Sequence, residues 1–462
     1  EKLLTDGSKT YSEKPLTDDP EAYSEKTMTD DSGACVEQLR KIISRPFTPG
    51  QAANCIARFH IKVDCGEEVF IEKLLSLCEQ NIEAGYGEGY WSDHWDYNMD
   101  LGESYLSIYP DKKQELLFGD SSYRFYDSAA RVLPRSEKYV INSKNEVRQF
   151  GALVHDEEKA AQEGFDKDGT NWLKTGFGEY ATTTLMGKMI TLAINKFSSL
   201  DSYGMGVEME GGKPGWNDAM NGLPGLFGSG MPEAFELKRL VRFIRDNVTE
   251  AEGLSLPVEI AEFTKNIYHI LQRADKEGLS DFAYWDEVTS LRERYRDKVR
   301  FHLDGREERI ATGELKEIFT VFEGKINKGI DRALSYGKGI VPTYFTFYAS
   351  EFTPVTDGEG KPVIGHYGMP KAVVKTFEVN PLPYFLEGPA KMLGSLKDKE
   401  AAKKLYRNVK ASFKIRSLEC IRHAYPSSNY RWRMEESVRL PPDGWRGRVF
   451  FCTWSISTSC LF

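Results

Sequence analysis

Six stretches of the chain repeat their apolar residues every three to four positions, and this periodicity limits the possible folds more than any other feature. They are EEVFIEKLLSLCEQNI (Glu67–Ile82), TTLMGKMITLAINKF (Thr183–Phe197), EAFELKRLVRFIRDN (Glu233–Asn247), EIAEFTKNIYHILQRA (Glu259–Ala274), DEVTSLRERYRDKVRFHL (Asp286–Leu303) and ELKEIFTVFEGKINKGIDRAL (Glu314–Leu334). Residues at that spacing form one apolar stripe along an α-helix, which has to be buried against another element. Pro232 and Pro257 stand just before two of these stretches, where a first-turn proline forfeits no hydrogen bond. Alternating strand patterns are few, GIVPTYFTFYASEF from Gly339 being the best. The connections are long and rich in Gly, Trp and Asp, whereas bundle helices are joined by short turns. The pattern predicts an all-α fold, a helical toroid whose long loops build a cleft at one rim.

The two ends depart from the period. Residues 1–36 read as three polar twelve-residue units, EKLLTDGSKTYS, EKPLTDDPEAYS and EKTMTDDSGACV, without a buriable face, and are expected to be a linker or duplicated tail. Residues 37–411 form the expected toroid domain. The segment 412–462 loses the helical period and carries three of the seven cysteines. A shifted reading frame over Pro442–Phe462 can encode an amphipathic helix after a Gly-Trp loop, so this tail is expected to be aberrant and the toroid incomplete at its carboxy-terminal end.

With 462 residues the chain can bury a large core without staples. Its cysteines show no CxxC spacing, which reads as a reducing, cytoplasmic setting. No 18-residue apolar run is present, so no membrane partner is expected. The net charge of −9, from 61 basic and 70 acidic residues without a basic stripe, argues against nucleic acid.

Two loops combine aromatic faces with carboxylates and amides, the make-up that grips a neutral polyol. GEGYWSDHWDYNMDLGESYL (Gly87–Leu106) supplies Tyr90, Trp95, Asp96 and Asp100, together with Asp93 and His94. GGKPGWNDAMNGLPGLFGSGMPE, from Gly211, supplies Trp216, Asn217 and Asp218, with Glu208 just upstream. Cleaving a glycosidic bond requires a proton on the leaving oxygen, which a carboxylic acid can donate. An inverting hydrolase needs a second carboxylate to activate water, but a phosphorylase does not, because phosphate is already a nucleophile. One acid beside Trp and Asn makes Asp218 the candidate proton donor.

The run Trp216-Asn217-Asp218-Ala219-Met220-Asn221, its Gly-rich continuation and the helix EAFELKRLVRFI resemble the Trp-Asn-Asp-Gly-Met/Leu-Asn signature of glycoside hydrolase family 94, which includes cellobiose and oligoglucan phosphorylases. RFYDSAARVLPRSEKYV (Arg124–Val140) fits the same likeness, which spans roughly residues 37–411. The resemblance implies an (α/α)6 toroid and an inverting phosphorylase that attacks a β-glucosidic bond with inorganic phosphate, releasing α-glucose 1-phosphate. It makes Asp218 the general acid and Trp216 a wall of the glucosyl subsite, and assigns sugar hydroxyls to Asp96 and Asp100. Trp95 stands where the family has Arg, and Ala219 where it has Gly, so no arginine role carries over. The resemblance implies no metal and no organic cofactor. Its expected partners are a β-glucan di- or oligosaccharide and phosphate, and it is compatible with a homodimer. The family's amino-terminal β-sandwich and last toroid helices, whose loops bind phosphate, have no counterpart in the sequence.

Two other readings stand beside this one. An inverting hydrolase would use Glu208 or Asp93 as base, and an inactive chain would bind sugar without turnover. His94 has no second histidine at ligand spacing. Arg131 and Arg135 are expected to pair with neighbouring carboxylates such as Glu137. GLPGLFGSG (Gly222–Gly230) lacks the Lys-Ser/Thr of a phosphate loop.

Overall fold

The computed structural model describes residues 32–45, 47–78, 95–149, 152–163, 170–209, 227–248, 253–337, 339–365 and 368–412. The chain divides into two compact units, Glu1–Ile82 and Glu83–Phe462.

The described part of the first unit holds α1 (Ser32–Ile43), α2 (Pro49–Arg58) and α3 (Glu67–Ser76). Thr48 and Gln51 start α2 with a reciprocal cap: the Gln51 N–H donates to Thr48 Oγ1 at 3.2 Å, and the Thr48 N–H donates to Gln51 Oε1 at 2.9 Å. Leu39, Ala52, Cys55 and Ile56 are buried between α1 and α2, with Phe47, Phe59, Phe70 and Leu74 packed around them.

The second unit opens with α4 (Trp95–Ile108) and continues into short strands: β1 (Tyr123–Arg124), β2 (Tyr126–Ser128) and β3 (Ala130–Val132). After α5 (Arg135–Lys138) come β4 (Tyr139–Ile141), β5 (Val147–Gln149), β6 (Leu153–His155), α6 (Glu157–Glu163), β7 (Thr170–Trp172) and β8 (Thr182–Thr183). Their antiparallel pairing is nested, β1 with β8, β2 with β7, β3 with β6 and β4 with β5, so 123–183 folds back on itself as one interrupted ribbon. The buried Asp127 and Lys159 side chains form an ion pair within it.

Helices and a larger sheet follow: α7 (Leu185–Phe197), β9 (Val207–Met209), β10 (Phe227–Gly230), α8 (Met231–Asn247), β11 (Gly253–Pro257), α9 (Val258–Glu277) and α10 (Asp281–Lys298). The last described elements are β12 (Glu307–Ala311), α11 (Thr312–Ser335), β13 (Tyr344–Pro354), β14 (Ala372–Pro381), α12 (Glu387–Ser395) and α13 (Lys399–Ser412). Helix α8 packs on α7, α11 and α12, and α9 packs on α10. Phe197 and Phe322 stack at 4.1 Å between α7 and α11, and Phe263 and Tyr295 at 4.2 Å between α9 and α10. Phe197, Phe263 and Phe322 are buried, and each contributes about 1.5–3 kcal/mol through burial alone.

The all-α (α/α)6 toroid expected from the sequence is therefore corrected to a mixed α and β fold. A four-stranded antiparallel sheet, in the order β14-β13-β10-β9, sits among the helices, and the described residues add five two-stranded ladders. The helical stretches are real, with boundaries moved: the first stops at Ser76, and that expected over Asp286–Leu303 runs instead over Asp281–Lys298. Strands escaped the reading because most span two to five residues, too few for alternation to show. The best candidate strand is present as β13, whose first four residues, Tyr344–Phe347, are all buried. No helix among the described residues is long and apolar enough to cross a membrane.

Candidate functional site

The connection 210–226, which carries the Trp-Asn-Asp run, joins two adjacent strands of the four-stranded sheet. Strand β9 ends at Met209, which lies opposite Gly228 on β10. Trp216, Asn217, Asp218 and Tyr90 lie outside the described residues, as do Asp93, His94 and the side chain of Asp96.

Both ends of this connection are held by buried polar groups. Asp201 is 3% exposed and precedes β9. Its Oδ1 accepts from the backbone N–H groups of Tyr203 and Met205 at 2.9 and 3.0 Å, and its Oδ2 from Gly206 N–H at 2.8 Å and Ser229 Oγ at 2.6 Å. One carboxylate thereby ties the turn before β9 to β10. Burial raises the Asp201 carboxyl above its ordinary value, and the four hydrogen bonds pull against that rise. Gly206 has to be glycine here, because a Cβ would come within 2.7 Å of Ser229 Oγ and 2.9 Å of the Gly230 carbonyl oxygen.

Glu208 sits in the middle of β9 and is gripped from α10. Trp285 Nε1 donates to Oε1 at 2.5 Å, and Arg292 Nη2 donates to Oε2 at 2.9 Å. The Arg292 side chain is 3% exposed, and its Nη1 also donates to the Ser198 carbonyl at 2.6 Å, at the end of α7. Trp285, Val288, Thr289 and Arg292 are buried at i, i+3, i+4 and i+7, so helix geometry alone presents the indole and the guanidinium on one face. Arg292 is buried and Glu208 half-buried, so removing one partner leaves the other short of its counter-charge, at a cost of up to about 3–5 kcal/mol.

Beside Glu208 lies a narrow recess of about 360 Å³, including its open side, lined by Lys138, Tyr139, Gln149, Glu208, Trp285 and Phe347 among others. Met209 and Phe227, the residues flanking 210–226, also line it. Burial first, and the Glu208 carboxylate next, push the Tyr139 phenol up against the opposing pull of Arg135 and Arg292, so it stays a neutral donor. Gln149 Nε2 donates to the Met209 carbonyl at 3.3 Å. The arrangement offers a fixed carboxylate and a protonated phenol, groups that suit a hydroxyl. Each Glu208 oxygen accepts one hydrogen bond, from Trp285 or from Arg292, which fixes the carboxylate in place.

The first loop is built differently. Trp95 opens α4, is 8% exposed in the apolar core, and lies 5.5 Å beneath the Lys196 ammonium. Asp100 is on the same helix with its side chain 59% exposed, and accepts from Arg239 Nη1 at 2.7 Å. Arg239 also binds Glu103 at 2.5 Å and Glu236 at 3.2 Å, and Glu236 accepts from Lys391 at 3.0 Å. Burial pulls the Arg239 guanidinium down, but Glu103 and Asp100 outweigh it and keep the cation fixed. Asp100 thus belongs to a network linking α4, α8 and α12, and shares none of its partners with Glu208.

Arg131 and Arg135 do pair with carboxylates, but with those of α10. Arg131 meets Asp297 at 3.6 Å, and Arg135 meets Glu293 at 3.1 Å and Asp286 at 2.5 Å, while Glu137 pairs with Lys371 at 2.9 Å. Among the described residues no three metal-ligating side chains converge. Sequence reasoning missed Arg292, Trp285, Tyr139 and Arg239. One signal was present: Arg292 falls on the apolar face of a periodic stretch, where a charge needs a partner. No family model matches the chain, and no curated protein matches it.

Proposed function

We propose that the chain is the catalytic region of an inverting carbohydrate phosphorylase, cleaving a β-glucosidic bond of a di- or oligosaccharide with inorganic phosphate to give α-glucose 1-phosphate. The observation that carries this reading is the run Trp216-Asn217-Asp218-Ala219-Met220-Asn221 with its Gly-rich continuation. In this reading Asp218 protonates the leaving oxygen, and phosphate attacks the anomeric carbon from the opposite face. Trp216 and Asn217 hold the glucosyl unit, with Asp96 and Asp100 as further hydroxyl acceptors. In this reading Glu208, held by Trp285 and Arg292, serves as a fixed hydrogen-bond acceptor, and phosphate takes the place of the carboxylate-activated water of a hydrolase.

The test is incubation with β-glucan oligosaccharides with and without phosphate, following both products. Phosphate-dependent α-glucose 1-phosphate is expected, and Asp218→Asn should lower kcat/KM by roughly 10²–10⁴ while leaving the circular dichroism spectrum unchanged. Glucose released without phosphate and without the sugar phosphate overturns the reading in favour of hydrolysis.

A further inference from the structure

The first unit is short of core and rich in cysteine. Among its described residues only Leu39, Ala52, Cys55 and Ile56 form the buried cluster, yet this stretch holds Cys35, Cys55, Cys65 and Cys78, four of the chain's seven cysteines. Units with so little buried surface commonly depend on a covalent staple.

Helices α1 and α2 are joined by the five residues 44–48 and pack on each other, the arrangement of an antiparallel αα-hairpin. Leu39 on α1 and Ala52 on α2 share the buried interface. Cys35 lies four residues before Leu39, and Cys55 three after Ala52, so each is one turn farther from the connection on the same face. Measured from the hairpin turn, Cys35 stands roughly 12 Å along α1 and Cys55 roughly 9 Å along α2, a difference smaller than one helical turn. Ala52 is fully buried at this interface and puts little side-chain bulk between the helices. Burial first, and Cys35 next, push the Cys55 thiol up, with Arg58 opposing. Both are free thiols here, Cys55 buried and Cys35 partly exposed. Cys65 and Cys78 are exposed, and their sulfurs lie against the backbone carbonyls of Gly66 and Leu74.

We propose that Cys35 and Cys55 form a dithiol site that closes to a disulfide across the α1–α2 interface when the chain meets an oxidised low-molecular-weight thiol such as glutathione disulfide. Cys35, the more accessible sulfur, attacks the oxidant as its thiolate. The oxidant's S–S bond breaks, one glutathione leaves as thiolate, and a mixed disulfide forms on Cys35. The Cys55 thiol gives up its proton and attacks the Cys35 sulfur, expelling the second glutathione. Two protein thiols lose two electrons, and one glutathione disulfide becomes two glutathione thiols carrying the two protons released.

The full chain is equilibrated in glutathione buffers of graded reduced-to-oxidised ratio, quenched in acid, alkylated and mapped by mass spectrometry without reduction. A peptide joining Cys35 to Cys55 is expected, persisting in Cys65→Ala/Cys78→Ala, and proteolysis within 32–78 should slow at least roughly tenfold once it forms. Cys55→Ala should instead accumulate glutathione on Cys35. Alkylation of both Cys35 and Cys55 in every buffer, or a link from Cys35 to Cys65 or Cys78, overturns the proposal, and the map of the unsubstituted chain decides this even if a variant fails to fold.

Discussion

Arg292 shows how much of the candidate site depends on a single buried cation. Its two Nη groups reach Glu208 on β9 and the Ser198 carbonyl at the end of α7, so it fixes the approach to the connection 210–226 from α10. Arg292→Met should therefore destabilise by up to about 3–5 kcal/mol, because it leaves the half-buried Glu208 carboxylate beside Trp285 without its counter-charge. Arg292→Met/Glu208→Gln should recover a large part of that loss, since the neutral amide needs no cation; urea unfolding of the four members of the cycle checks this. Additive losses would show that Arg292 acts by filling space. Residues of this kind were only partly legible. Glu208 drew attention through its place beside the Trp-Asn-Asp run, but the residues that engage it lie 77 and 84 positions away and no local pattern links them. Trp95 looked like a site wall because its neighbours are Asp, His and Tyr, whereas it opens α4 and turns its ring into the core.

Elements were legible in proportion to their length. The stretches that became α7, α8, α9 and α11 were long enough for a 3.6-residue period to show through local composition. Strands β1 to β8 owe their existence to partners up to 60 residues away, as with Tyr123 opposite Thr183, and carry too few residues for a pattern of their own. Glycines were equally opaque, since their role depends on what approaches them. In α11, Gly329 and Gly324 have the same helix propensity but opposite surroundings. A Cβ on Gly329 would fall 1.7 Å from the Gly204 carbonyl oxygen, where the turn before β9 crosses the helix, while a Cβ on Gly324 meets nothing within 4 Å. Gly324→Ala should stabilise by about 0.5–1 kcal/mol through propensity alone. Gly329→Ala gains the same propensity and still should lose about 1–3 kcal/mol overall, because backbone cannot yield as a side chain would. Thermal melts of both variants test the contrast, and equal shifts of the same sign would refute it.

At the scale of the whole molecule, the toroid failed because helical stripes say that a partner surface exists without saying whether it is helix or sheet. Here part of that surface is the β14-β13-β10-β9 sheet, and β13 is covered on both sides over Tyr344–Phe347, which hides it from a search for alternation. The division at Ile82 was hidden for a related reason, since α3 begins as one more apolar-periodic stretch. The two units differ greatly in what they bury. The described part of the first has a four-residue buried cluster, and the second has one extending from Trp95 to Val409. Stability rises with the fraction of surface buried, so under reducing conditions the first unit should unfold at lower urea than the second. The sequence provides separate reporters: every tryptophan lies beyond residue 82, and Cys55 is buried only while the α1–α2 interface holds. Thiol labelling of Cys55, in a chain carrying Cys35→Ala, Cys65→Ala and Cys78→Ala and mapped by peptide, should therefore appear at lower urea than the change in tryptophan fluorescence. Coincident curves would mean that the units unfold as one cooperative body, and the small cluster at Leu39 and Ala52 would then owe its stability to the rest of the chain.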